Sequence, residues 1–365
     1  MATPLGLRKP HPAIGLRMGS GQRSARTLLH PYTVPGSARL DWLLTLASTV
    51  FGIGVVLDSR GHLQGTVDST LLSPRHAPLY GGVLLVGLVL AIVYGRTNGV
   101  PRGHALSALG VLLFFTAGVA DLVWHAIFGV EIGLETLLSP THILLALAGG
   151  LILSGPLRAA QARLVLGSAP GWKRLAPALI AASYLLGLIT ILTAYAHPLV
   201  GTYAIAAPPS VTRPLSLMEP LGVASTLLQS GIQMGLLLLL ARSWHLPVGS
   251  IALLVVASGL PVIVLSDTYG FVPGILGSAL LAEGLYRWLT PSVAEALRWY
   301  AFGFSVPTLF YAVYFVSLGI GFGIGWSSHL VAGSVLSAGV VGLLLAYLTV
   351  PVRCVPTENL QTSDT

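Results

Sequence analysis

An aspartate followed four residues later by a histidine occurs twice in this chain. Each pair is followed by a Leu-Leu-Ser-Pro-x-His string that leads into a long apolar run. The first copy is Asp58 and His62, then Leu71-Leu72-Ser73-Pro74-Arg75-His76. The second is Asp121 and His125, then Leu137-Leu138-Ser139-Pro140-Thr141-His142, with 63 residues from one Asp to the other. Positions i and i+4 share a helix face, so each pair can point at one spot, and the later histidine opens the next helix beside it. One carboxylate and two imidazoles at the mouth of a helical hairpin form a plausible metal-ligand set. The predicted ligands are therefore Asp58, His62 and His76 in one set and Asp121, His125 and His142 in the other.

The acidic position after the pair repeats too, as Asp68 and Glu131, each separated from its histidine by five residues. With Glu135 they are candidates to support the ligands from behind. In each string Ser suits a helix N-cap and Pro suits the first turn, where its missing N–H is not needed. His76 and His142 then sit in first turns, where the helix dipole disfavours the imidazolium and helps keep the ring able to bind metal. The competing reading is helix capping plus a hydrogen-bonded pair. The first copy carries Arg60-Gly61 where the second has Val123-Trp124, a sign that its helix is ending, and Arg60 competes with a metal for Asp58. His197, Asp267, Glu283 and His329 read as caps, interface residues or internal pairs.

Elements that would hold such sites must be membrane helices. Mean hydropathy is +0.82, hydrophobic residues make up 54% and charged residues 8%, against about a quarter charged in ordinary soluble domains. The fold class expected is all-α, polytopic and membrane-integral. Ten apolar stretches long enough to span are centred on 40–57, 77–95, 105–124, 142–157, 176–196, 222–241, 248–265, 273–289, 299–319 and 329–350. The expected organisation is a basic, disordered cytoplasmic tail (1–39), a four-helix region carrying the duplicated motif (40–158), a six-helix scaffold (159–352) and a cytoplasmic tail (353–365). Tandem hairpins of like orientation can pack about a pseudo-twofold axis along the membrane normal, with their sites side by side or merged.

The formal charge of +7 comes from 19 Lys and Arg against 12 Asp and Glu. All but Arg60, Arg75 and Arg213 fall in the N-terminal tail, the even-numbered connections or the C-terminal tail. This is the positive-inside pattern of a multi-pass protein of the inner (plasma) membrane with both termini cytoplasmic. It puts both motif copies on the outward side and argues against nucleic acid as a partner. The lone Cys354 cannot make an intrachain disulfide. Gly-rich phosphate loops, nucleophile elbows and Cys-x-x-Cys pairs do not occur, so the chemistry of soluble enzymes finds no support.

The string Asp121-Leu122-Val123-Trp124-His125, then Glu131, then Ser139-Pro140-Thr141-His142 resembles the metal-site segment of the C subunit of copper membrane monooxygenases, the particulate methane and ammonia monooxygenases. The resemblance implies that Asp121, His125 and His142 bind a metal between transmembrane helices at the outer face, and that Glu131 matches the family's acidic residue. Asp58, His62, Asp68 and His76 fit the same pattern without the Trp. The family subunit is shorter, carries one such segment and works beside two other subunits, whereas this chain has two segments and no soluble domain. Copper is the metal favoured by the resemblance; iron or zinc is allowed by the ligand types. The expectation is an integral membrane metal-binding protein with outward-facing sites. It would act as a monooxygenase-like enzyme on a small apolar substrate, with the lipid bilayer and further membrane subunits or a redox partner around it. The alternatives are a non-catalytic transporter or metal-handling protein, and a structural or assembly subunit.

Overall fold

The computed structural model describes residues 33–34, 36–65, 74–131, 133–205 and 215–350. The N-terminal tail through residue 32, Asp68, the Leu71-Leu72-Ser73 string, Arg213 and Cys354 lie outside the described residues. Among the described residues the regular structure is helical apart from two strands of two residues each, Thr33–Val34 and Val100–Pro101, which pair in parallel, and an isolated antiparallel bridge between Ile205 and Ile324. The helices are α1 (Ala38–Leu63), α2 (His76–Thr97), α3 (Ala105–Phe128), α4 (Pro140–Leu153), α5 (Gly155–Arg163), α6 (Trp172–Leu192), α7 (Leu215–Ser243), α8 (Ser250–Ser266), α9 (Val272–Leu289), α10 (Ala296–Gly321) and α11 (Ser328–Thr349), with short helical turns at Leu134–Leu138 and Pro198–Gly201.

Among the described residues, eight helical segments are long and apolar enough to cross a membrane. The ten expected spans all coincide with helices, but two fall short of that measure. The stretch at 248–265 is α8, only 17 residues long, because it is bounded by left-handed residues at both ends, Gly249 (φ 90°) before Ser250 and Asp267 (φ 57°) after Ser266. The stretch at 273–289 is α9, 18 residues carrying both Glu283 and Arg287, which lowers its hydropathy. The short fourth span is longer than expected, because α4 and α5 together cover Pro140–Arg163. Pro156 interrupts them at Ser154: it has no N–H for the Ile152 carbonyl, which instead lies 3.3 Å from the Ser107 hydroxyl.

Small residues set the geometry of the first hairpin. A Cβ on Gly82 would lie 2.3 Å from the Phe51 nitrogen, and one on Gly54 would lie 2.3 Å from the Leu79 nitrogen, so each glycine seats the partner backbone directly. Helices already in lipid gain little by hiding apolar surface from one another. Close packing of this kind therefore carries their association. At the matching place in the second hairpin, α3 and α4 bury Ala117 and Ala148 completely. The hairpins meet where Phe51 and Phe114 stack edge to face, centroids 5.5 Å apart, in a core that includes Leu44, Val83, Val86 and Ile152. A second core gathers α6 to α11 around Leu179, Met234, Leu254, Trp299 and Phe302. Helix α6 joins the two halves, with the Tyr184 hydroxyl donating to Thr49 Oγ1 at 2.7 Å.

A Gly82→Val substitution is expected to cost about 3 kcal/mol, as overpacking of a close contact does. Gly81→Ala, whose added Cβ meets nothing within 4 Å, is expected to stay within about 0.5 kcal/mol. Thermal unfolding in detergent reads both, and an unshifted midpoint for Gly82→Val would refute the close crossing.

Candidate metal centre

Both predicted ligand sets come together at one end of the molecule. In the first, α1 runs through Arg60-Gly61 to Leu63 instead of ending there, so Asp58 and His62 stay on one helical face. His76 opens α2 directly, with Arg75 as its N-cap and Pro74 in the preceding turn. Asp58 Oδ1 lies 2.8 Å from His76 Nε2 and 3.9 Å from His62 Nε2. In the second, α3 carries Asp121 and His125, and Ser139 caps α4 with Pro140 at its start. Asp121 Oδ1 lies 3.6 Å from both His125 Nε2 and His142 Nδ1. Within each triad every residue offers a ligand atom, and these atoms lie within 4.8 Å of one another. That is the spacing of groups arranged around one ion, since metal–ligand bonds of about 2 Å put neighbouring ligands about 3 to 4 Å apart.

A second carboxylate stands beside the second triad. Glu131 Oε2 lies 2.9 Å from His125 Nε2, and the Trp124 indole donates to Glu131 Oε1 at 2.5 Å. Burial raises the Glu131 carboxyl. Hydrogen bonds from its own backbone N–H and the Trp124 indole, with the attraction of His125 and His142, outweigh that and leave it below its ordinary value. Trp124 thus fixes an acidic residue instead of only packing over the site. Glu135 is exposed on the Leu134–Leu138 turn, and its side chain joins neither triad.

Asp121 Oδ1 and His62 Nδ1 are buried without a hydrogen-bond partner among the described residues, and His125 Nε2 and Glu131 Oε2 are buried with only their 2.9 Å contact with each other, which is not aligned as a hydrogen bond. A buried polar atom left so costs about 1 to 3 kcal/mol, and more when charged. Three of these four sit in the second triad, and their types, two carboxylate oxygens and an imidazole nitrogen, are ligands for a first-row cation. The chain's residues therefore fit a metal at this place.

Arg60 does not compete for Asp58. It turns to the other half of the molecule, where its guanidinium meets Asp267 at 2.7 Å and donates to the Val264 carbonyl, while Gln64 Nε2 donates to Asp267 at 2.8 Å. Glu283 accepts from the Ile251 and Ala252 N–H groups and pairs with Arg287 at 2.7 Å. His197 caps the Pro198–Gly201 turn through Nδ1, and His329 is exposed.

At the opposite end of the hairpins lies a buried network that sequence reading missed. His104 Nε2 is 3.0 Å from Asp41 Oδ1, Arg163 also pairs with Asp41, and Arg158 donates to Ser107 Oγ and to the Gly103 and Leu151 carbonyls. Asp41 and His104 are 63 residues apart, the offset of the two motif copies, and that was the available signal.

A cavity of about 110 Å³ opens against the triads, lined by Asp58, His62 and His142 and by apolar side chains including Phe51, Leu145 and Leu188. Comparison with family models, curated proteins and solved structures gives no match.

The buried His197 supplies a pH test of the scaffold. Burial pushes its pKa down to about 4 from an ordinary 6.5. The unfolded chain therefore takes up a proton that the folded chain refuses. Its contribution to stability is complete above pH 6.5 and declines as pH falls toward 4, by about 2 to 3 kcal/mol. His197→Gln is expected to flatten that part of the pH profile of thermal unfolding, and an unchanged slope would count against the buried neutral ring.

Proposed function

We propose that this chain is a multi-pass membrane metalloprotein that oxidises a small apolar molecule at metal ions held by Asp58, His62 and His76 and by Asp121, His125 and His142. The observation that carries the reading is the joint occurrence of both triads and an apolar cavity at one end of the helical bundle. A site for ion capture alone needs water and an open polar mouth. Here the space beside the ligands is lined mostly by apolar side chains.

Copper is favoured by the resemblance of the second copy, with iron next, because a carboxylate and two imidazoles also suit non-haem iron. When bound, such a metal supplies redox chemistry with dioxygen. Hydroxylation would insert one oxygen atom into a C–H bond and reduce the other to water, with two electrons and two protons from an external reductant. The chain's own residues position and exclude. Asp58 and Asp121 provide negative charge for the cations, Glu131 and Trp124 orient His125, and Phe51, Leu145 and Leu188 keep bulk water from the ligands. A second apolar cavity of about 380 Å³ between α1, α6 and α8 shares Val55, Leu188 and Ile191 with the first, which gives an apolar substrate a way in from the bilayer. The positive-inside distribution of Lys and Arg supports an orientation with this end outside and both termini in the cytoplasm.

The two hairpins support a duplicated unit. Residues at the 63-residue offset touch in the pairs Phe51/Phe114 and Asp41/His104, as residues near a pseudo-twofold axis do. The transport reading calls for ionisable groups free to relay ions through the spans, and Glu283 is tied to Arg287 and two backbone N–H groups.

Purified protein, stripped with chelator and reloaded, is expected to hold close to two equivalents of copper. Asp121→Ala/His125→Ala is expected to lose one equivalent and keep the other. Full occupancy in that variant would remove the assignment of the second triad, and metal uptake into proteoliposomes would favour transport.

A further inference from the structure

We propose that the two triads form a single coupled two-metal centre for a pair of first-row divalent ions, instead of two independent mononuclear sites. This rests on the metal-binding reading above and adds how the sites relate. The His62 ring of the first triad meets the His142 ring of the second edge to face, centroids 5.6 Å apart, and His142 lies 5.8 Å from His125 on its other side. One imidazole of the second triad is thus flanked by a ligand candidate from each set. Tyr80, one turn beyond His76 on α2 and 5.9 Å from its ring, lies within electrostatic reach of both Asp58 and Asp121. His62 in turn feels Asp58 and the three other histidines. The six ligand candidates are therefore one cluster drawn from four helices, and His62, which touches both sets, carries a buried Nδ1 with no hydrogen-bond partner among the described residues.

Charge balance is compatible with the pair. Asp58, Asp121 and Glu131 bring three negative charges to this cluster, and Arg60, the cation nearest to Asp58 in sequence, is committed to Asp267. With the imidazoles neutral, one divalent ion leaves a net charge of −1 and two leave +1, so the geometry of the two triads, not the charge, calls for two ions. The common wall of the cavity, made by Asp58, His62 and His142, then presents both ions to one bound molecule.

The test uses the full chain in lipid nanodiscs, stripped, reloaded with Cu(II), kept oxidised, and measured by metal analysis together with electron paramagnetic resonance. At two equivalents a coupled pair is expected to give a dipolar-broadened spectrum or a spin count below the chemical copper count. Asp121→Ala/His125→Ala, which keeps the first triad, is expected to return a narrow signal with one spin per copper. His62→Gln is expected to weaken the remaining copper of the second triad about tenfold, as loss of a supporting group does. Two bound coppers with unbroadened, additive spectra would overturn the coupling and leave the metal-binding reading standing. A total of one bound copper, lost entirely on substitution in either triad, would replace the pair with one merged site. A protein that binds no copper would end both readings.

Discussion

The close crossing of α1 with α2 is the constraint on which the rest depends. Helices in a bilayer have no water to escape, so what holds them together is surface fit. With Gly54 and Gly82 seated on opposing backbones, the hairpin has little freedom to slide or rotate. That fixes where α1 ends relative to where α2 begins. Asp58 and His62 at one helix end and His76 at the start of the next are consequently brought within bonding reach of a single point. The second hairpin reaches the same result with buried Ala117 and Ala148, and Phe51 against Phe114 sets the spacing between the two.

The far end of the hairpins obeys the same rule with different chemistry. Asp41 pairs with His104 and Arg163, while Arg158 donates to Ser107 and to the Gly103 and Leu151 carbonyls, as charged groups buried in a membrane helix bundle find partners. Arg60 with Asp267, together with Tyr184 and Thr49, ties the hairpins to the scaffold. Buried polar atoms without a hydrogen-bond partner occur in both halves of the chain, among them His104 Nδ1, Gln229 Oε1 and Trp244 Nε1. What sets the triads apart is that theirs lie within a few ångströms of one another and are of ligand type, which the scattered atoms elsewhere are not.

Much of this was legible in the sequence because the relevant spacing is local. The i, i+4 relation of Asp58 with His62 and of Asp121 with His125 needs only a helix, and the Ser139-Pro140 start fixes His142 close behind. Contacts between elements were not legible. Nothing local distinguishes an Arg60 that pairs with Asp58 from one that reaches Asp267, more than 200 residues on. The Asp41–His104 pair was hidden for a different reason: it lacks the downstream Ser-Pro-x-His string, although it keeps the 63-residue offset. The start of α8 was not legible either: the apolar stretch begins at 248, whereas the helix begins at Ser250, after Gly249 in a left-handed conformation.

The two triads are alike in ligand type and unlike in readiness. In the first, Asp58 Oδ1 is already 2.8 Å from His76 Nε2, a hydrogen-bonded distance, so an ion entering there has to displace an interaction worth about 1.5 to 3 kcal/mol. In the second, Asp121 Oδ1 stands 3.6 Å from each histidine and has no hydrogen bond among the described residues, while His125 Nε2 faces Glu131 Oε2 at 2.9 Å and His142 Nδ1 meets Ser139 Oγ at 2.6 Å. An ion entering there displaces nothing from Asp121 but competes with Glu131 and Ser139 for the two imidazole nitrogens. Trp124, absent from the first copy, contributes by holding Glu131 against His125. The position before the histidine, Gly61 in the first hairpin and Trp124 in the second, is thus where the surroundings of the two triads part.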